Sequence, residues 1–321
     1  MSLEKKGTPR VSVVMAVHNA IPFLEEAVES ICNQTFRDFE FLIIDDGSTD
    51  GSGTWLETRA KKDERLRVFR REHAGLTKSL NFGLEQAQGE LIARMDADDV
   101  SLSKRFEEQV KGFDEDSELV LLGCEVEFVA EDKTALGARN HPTTHAEIRR
   151  YLLSGAGGAL THPVVMFRTQ AARNIGGFDE SFTTTQDLDF FLRLTDTGKA
   201  RNLHDTLLLW RQHERSVNRT KWRSWTAMKR KAIANTIERI GVEQYLLELF
   251  PDTTRHSFPS SPLALAKRAW SQGRVKDAYS LLRRAIHITG ERRESLECFI
   301  EWTLIRSWRK IRNGLRKIFP A

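Results

Sequence analysis

Three short apolar runs, each ending in polar or acidic residues, restrict this chain more than any other feature. Val11 to Val17 runs into His18-Asn19. Residues 39–44 run into Asp45-Asp46-Gly47-Ser48, and residues 90–95 into Asp96-Ala97-Asp98-Asp99. Runs of this length, apolar on both faces and rich in β-branched residues, suit buried strands of a parallel sheet. Helical periodicity fills the intervals, over residues 22–33, 52–62 and 76–87, with a further strand at 66–70. This alternation predicts an α/β fold, a mostly parallel sheet with helices on both faces. Ligands of such sheets collect beyond the carboxyl ends of the strands, so the three polar endings should share one rim. Carboxylates crowded there repel one another unless a cation or a sugar hydroxyl lies between them. A divalent ion, Mg²⁺ or Mn²⁺, is the natural occupant.

The turn after the first strand, His18-Asn19-Ala20-Ile21, lacks the glycines of a dinucleotide fingerprint, and neither a Walker loop nor a Gly-x-Ser-x-Gly elbow occurs. These gaps argue against a nicotinamide enzyme, a P-loop ATPase and an α/β hydrolase. Further strands are expected at 119–129, 164–168 and 203–211, a glycine-rich loop at 154–159 and a short helix at 187–195. Beyond about Trp222 the pattern becomes helical: one helix over 228–249, a helical hairpin over 263–288, and a last helix over 291–318. The three cysteines, Cys32, Cys124 and Cys298, are far apart, and no Cys/His cluster occurs. Neither a disulfide framework nor a zinc site is indicated, and a reducing cytoplasm is expected. No apolar stretch is long enough to span a bilayer.

In order along the chain stand residues 11–19 (VSVVMAVHN), 30–36 (SICNQTF), 41–50 (FLIIDDGSTD), 89–99 (GELIARMDADD), 176–180 (GGFDE), 186–194 (QDLDFFLRL) and 210–213 (WRQH) with Ser216. Together these blocks resemble family 2 glycosyltransferases over about residues 10–220. The resemblance implies a GT-A fold, Rossmann-like, with a nucleotide-binding half over about 10–115 and an acceptor-binding, catalytic half over about 116–221. An all-helical, basic C-terminal extension, 222–321, would follow. It implies a metal-dependent, inverting transfer from a nucleotide-diphosphate sugar, a UDP-sugar by preference, to a glycan or lipid-linked acceptor in surface polysaccharide synthesis. Carried over by position, Ala16 and His18 would line the nucleotide pocket. Asp46 would bond the base, Asp96 would sit near the ribose, and Asp98 would ligate the metal. Asp187 would be the general base, and His213 would approach the diphosphate or the metal. Lys78 and Arg94 are phosphate or carboxylate candidates, and His162 is a candidate on the acceptor side. Where the family often has Glu-Asp, this chain has Gln186-Asp187. The base is kept, but a charge that helps organise the acceptor is lost.

Two other classes fit some of these residues: a non-catalytic nucleotide- or glycan-binding relative, supported by Gln186, and a sugar nucleotidyltransferase. The latter would want a basic, glycine-rich loop after the first strand. The charge balance adds a partner. Residues 252–321 hold fifteen Lys/Arg against six Asp/Glu, an excess of +9, so the rest of this +4 chain sums to −5. Trp308, Ile311, Leu315 and Ile318 fall on one face of a helix flanked by Arg309, Lys310, Arg312, Arg316 and Lys317. This pattern fits an interfacial helix on the anionic inner face of a membrane, or a terminal helix docked on its own domain with a solvated basic face. No nucleic-acid partner is expected, and the oligomeric state is left open.

Overall fold

The computed structural model describes residues 7–155, 158–213 and 222–249. The strands are β1 (Val11–Val17), β2 (Phe39–Asp46), β3 (Leu66–Arg71), β4 (Leu91–Asp96), β5 (Val100–Ser101), β6 (Leu119–Val129), β7 (Ala135–Arg139), β8 (Met166–Arg168) and β9 (Lys199–Arg211). The helices are α1 (Leu24–Cys32), α2 (Ser52–Ala60), α3 (Leu76–Gln86), α4 (Arg105–Glu115), α5 (His145–Leu153), α6 (Thr169–Asn174), α7 (Gln186–Leu194), α8 (Trp222–Ile240) and α9 (Val242–Leu249).

One sheet runs β3-β2-β1-β4-β8-β6-β9-β5, with β7 added to β6. Its first four strands are parallel, as their apolar runs predict. The far half is mixed: β8 is antiparallel to β4 and β6, while β6 and β9 pair in parallel. All eight residues of β2 are buried, because helices cover both faces. α3 lies especially close to the sheet. A Cβ on Gly83 would come within 2.4 Å of Val14 Cγ1, so only glycine lets the helix approach β1 this closely.

Buried polar side chains tie the sheet to α4. Gln34 Nε2 donates to the Ser30 and Leu102 carbonyls at 3.1 and 2.8 Å, while its Oε1 accepts the Phe106 N–H at 3.1 Å in the first turn of α4. Arg105, fully buried, donates from Nη2 to the Arg94 carbonyl on β4 at 2.7 Å and from Nε to Gln109 at 3.1 Å. Gln109 in turn donates to the Val164 carbonyl at 2.8 Å. Burial pushes the Arg105 guanidinium down to about 10, so it still carries its charge at neutral pH. The acidic segment after β4 is thus braced from behind.

Several elements differ from the sequence reading. Pro22 lies in a turn, and α1 begins at Leu24. α4, α5, α6 and the exposed strand β7 are additions. The expected single helix over 228–249 is two, broken at Gly241, whose φ of +84° suits a left-handed C-terminal cap. The expected helices beyond residue 249 lie outside the described residues.

Backbone packing divides the chain into two units. Among the described residues, one comprises 7–148 and 158–213 with the first residues of α8, and the other 149–155 and 226–249. Within the second, the Tyr245 hydroxyl donates to the Leu153 carbonyl at 3.1 Å, and Arg149 pairs with Glu248 at 2.8 Å. No helix among the described residues is long and apolar enough to cross a membrane.

Candidate active site

Parallel register brings the polar strand ends together. Ala16 on β1 stands level with Ile44 on β2 and with Asp96 on β4. His18, Asp46 and the Asp96–Asp99 segment therefore emerge on one rim, as the alternation of strands and helices implies.

At the β2 end the chain must turn sharply. Asp45 Oδ1 accepts the Ser48 N–H at 3.0 Å, and Gly47 adopts φ +76°. A side chain on Gly47 would meet the His73 N–H nitrogen at 2.8 Å, so glycine lets the β3–α3 loop settle on this turn. Asp46 holds that loop: its two carboxylate oxygens accept the Ala74 and Gly75 N–H groups, each at 2.9 Å. Burial alone would push the Asp46 carboxyl up, but these donors and the neighbouring His73 outweigh it and hold the group below its ordinary 3.8. The His18 and His73 rings lie against each other, tilted by 33° with centroids 4.2 Å apart. Both direct Nδ1 at the Asp46 carbonyl, at 2.8 and 3.1 Å.

The acidic cluster lies at the β4 end. Asp96, Asp98 and Asp99 each offer a carboxylate oxygen within 4.8 Å of the others. Burial, followed by the Asp96 charge, raises the Asp98 carboxyl, and the His213 bond offsets part of this. Asp99, fully buried, is raised well above 3.8 by burial and then by Asp98 and Asp96. The strand β9 closes the cluster. Arg211 N–H donates to Asp99 Oδ1 and its Nε to the Asp98 carbonyl, both at 2.9 Å, and His213 Nε2 lies 2.9 Å from Asp98 Oδ2. Arg94 pairs with Asp96 through Nη2, while its buried Nε and Nη1 have no hydrogen-bond partner among the described residues.

A divalent cation fits these donors. Asp99 Oδ2 is buried without a hydrogen-bond partner among the described residues, and it faces two further carboxylates with oxygens within 4.8 Å. Hard oxygen ligands with one imidazole suit Mn²⁺ or Mg²⁺.

The remaining candidates lie on nearby elements. Lys78 is exposed on the first turn of α3. Gln186 and Asp187, both half-buried, open α7, where the helix dipole favours an anion. The chain leading into α7 is moored to α3, since Asn81 donates to the Phe178 carbonyl at 2.9 Å and accepts its N–H at 2.8 Å. Arg193 secures α7 itself through Asp189 and the Gly177 carbonyl, at 2.7 and 2.8 Å. His162 packs edge-on to Phe178 and Phe191, with Nε2 sealed and unpartnered among the described residues. Burial, with the Arg94 charge second, pushes its imidazole well below 6.5. The sequence reading gave no individual role to His73, Arg105, Gln109 or Asp99. Of these only Asp99, inside the Asp-rich block, carried a visible signal.

Residues 12–176 match the family model described as glycosyl transferase family 2. The chain belongs to glycosyl transferase family 2. Over 214 residues this glycosyltransferase is 29% identical to the O-antigen biosynthesis glycosyltransferase WbnJ of Escherichia coli, covering 65% of this chain and 82% of that one. It is 26% identical over 252 residues to an uncharacterized glycosyltransferase of Haemophilus influenzae, covering 74% and 77%. Among solved structures, S. aureus TarS 1-349 in complex with UDP superposes with a TM-score of 0.60 at 18% identity, covering 94% of this chain and 91% of that one. The mannosyltransferase PcManGT of Pyrobaculum calidifontis, in complex with GDP-Man and Mn²⁺, gives 0.52 at 17% identity, covering 98% of this chain and 88% of that one. These likenesses establish the fold of the family 2 transferase as GT-A.

Proposed function

We propose that this glycosyltransferase is metal-dependent and inverting. It moves a sugar from a nucleotide-diphosphate donor, UDP-linked by preference, to a hydroxyl of a glycan or lipid-linked acceptor in surface polysaccharide synthesis on the cytoplasmic side. The Asp98–His213 pair carries the reading: a carboxylate from just beyond β4 and an imidazole from beyond β9 meet inside an acidic cluster at the rim of the sheet. WbnJ's part in O-antigen synthesis and the UDP bound to TarS support the acceptor class and the donor.

In this proposal Asp98 and His213 hold the ion, and Ala16, His18 and Asp46 frame the base. A bound Mn²⁺ or Mg²⁺ supplies Lewis-acid neutralisation of the charge that builds on the leaving diphosphate. Asp96 meets the ribose, with Arg94 paired to it through Nη2. Lys78 faces the donor phosphates. Asp187 takes the proton of the acceptor hydroxyl as that oxygen attacks the anomeric carbon opposite the departing diphosphate. Gln186 presents an amide to the acceptor. His162, sealed behind Phe178 and Phe191, supports the base of α7 without touching the acceptor.

A calorimetric panel of UDP-, GDP- and dTDP-sugars, each with Mn²⁺ and with EDTA, tests the proposal. Binding of one nucleotide class, dependent on Mn²⁺ and lost in Asp98→Ala, is expected. Absence of binding by every donor, or binding indifferent to EDTA, would overturn it.

A further inference from the structure

The rim carries a second group of metal-ligating side chains, distinct from the acidic cluster. His18, Asp46 and His73 each offer one ligand atom, and these atoms lie within 4.8 Å of one another. His18 ends β1, Asp46 ends β2, and His73 lies in the loop that Asp46 itself fastens through the Ala74 and Gly75 N–H groups. Three distant segments thus deliver two imidazoles and a carboxylate to one place.

The surroundings are those of a supported ligand set. The Asp46 carboxylate is oriented by two backbone donors, and its Oδ2 also lies 2.9 Å from His73 Nδ1, a contact that an ion would replace. His18 directs Nδ1 at the Asp46 carbonyl at 2.8 Å, and Asn19 Nδ2 approaches its Nε2 at 3.2 Å. This arrangement puts the proton on Nδ1 and the lone pair on Nε2. Hydrogen bonding from the second ring nitrogen is how metal-ligating histidines are usually held. The His73 side chain is 60% exposed and His18 is exposed, so both rings can turn from lying against each other to converging by side-chain rotation alone. Tetrahedral zinc with ligands at about 2.0–2.2 Å needs donor atoms about 3.3–3.5 Å apart, a small contraction of the present spread.

The chemistry separates the two groups. Asp96, Asp98 and Asp99 are hard oxygen donors suited to Mn²⁺ or Mg²⁺. Two imidazoles with one carboxylate favour a borderline ion such as Zn²⁺. We propose that His18, Asp46 and His73 form a second, zinc-type site, and that an ion there occupies the place of the donor base and blocks donor binding. The metal site stands on its own geometry; the blocking rests on the placement of the base given above.

Zinc titration calorimetry of the full chain in an Asp98→Asn background tests the site, because that substitution weakens the acidic cluster and leaves His18, Asp46 and His73 in place. One Zn²⁺ binding event is expected, weakened at least tenfold by His73→Gln and likewise by His18→Gln. Co²⁺ as a probe should give the intense visible absorption of a four-coordinate ion, lost in the same variants. A zinc isotherm unchanged by both histidine substitutions would overturn the site. For the blocking, UDP binding in Mn²⁺ is measured with and without added Zn²⁺. Loss of UDP binding in the native chain and its retention in His73→Gln support the block. UDP binding that survives zinc in the native chain overturns the block and leaves the zinc site standing. Failure of UDP to bind before zinc is added counts against the donor assignment alone, since the zinc isotherm is read without nucleotide.

Discussion

At the residue scale, the same side-chain type does different work according to what surrounds it. His213 meets a carboxylate, His18 and His73 meet a carbonyl and each other, and His162 meets two phenyl rings. His162 gives a pH prediction. Its folded-state imidazole is held well below 6.5 by burial, whereas in the unfolded chain it protonates near that value. Between the two the unfolded state binds more protons, so stability falls as pH drops below about 6.5, by at most about 1.4 kcal/mol per pH unit from this group. His162→Met should remove that part of the slope, seen as a smaller change in urea midpoint between pH 7.5 and 5.5 than in the native chain. Equal slopes would mean that the ring protonates freely in the fold. Asp98 and His213 could be picked out from the sequence because each lies in a block that resembles the family. His73 could not: it sits in the loop stretch Glu72-His73-Ala74-Gly75, and only the hydrogen bonds of Asp46 bring it to the rim.

At the scale of elements, burial decided what could be read. The buried parallel strands β1, β2 and β4 are apolar on both faces and stand out in the sequence. β7 is exposed at all five positions and reads as a loop. α4 does carry an apolar stripe, Phe106, Val110 and Phe113, but its buried face also includes Arg105 and Gln109, whose bonds to β4 and to the Val164 carbonyl no periodicity of apolar residues registers. Gly83 shows how tightly these elements meet. Gly83→Ala gains roughly 1 kcal/mol of helix propensity, but its Cβ would press on Val14 at 2.4 Å and Ile44 at 3.2 Å, both buried. Overpacking of this kind costs about 1–3 kcal/mol, and an approach of 2.4 Å puts this case in the upper half of that range, so a net loss of about 1–2 kcal/mol in urea-unfolding stability is expected. An unchanged or raised midpoint would show that α3 can lift from β1 without penalty.

At the scale of the whole molecule, charge is as unevenly distributed as structure. The excess of +9 over residues 252–321 lies outside the described residues, and the acidic cluster lies within the first unit. If the basic, tryptophan-bearing segment at 306–319 meets a membrane, the full chain should sediment with anionic vesicles, less so as salt rises, and not with neutral ones. Replacing Arg309, Lys310, Arg312 and Arg316 with Gln should abolish that binding, and equal binding to neutral vesicles would exclude the charge-driven contact. The closing of the acidic cluster by β9 also has a consequence for synthesis. Asp98 precedes its partner His213 by 115 residues, and Asp99 precedes Arg211 by 112. At translation rates of about 5–20 residues per second, the acidic segment leaves the ribosome on the order of ten seconds before the groups that tether it. Strands β1 to β4 can be born and folded while the segment after them is still a row of mutually repelling carboxylates. A nascent transferase therefore closes its acidic cluster as almost the last act of building this domain.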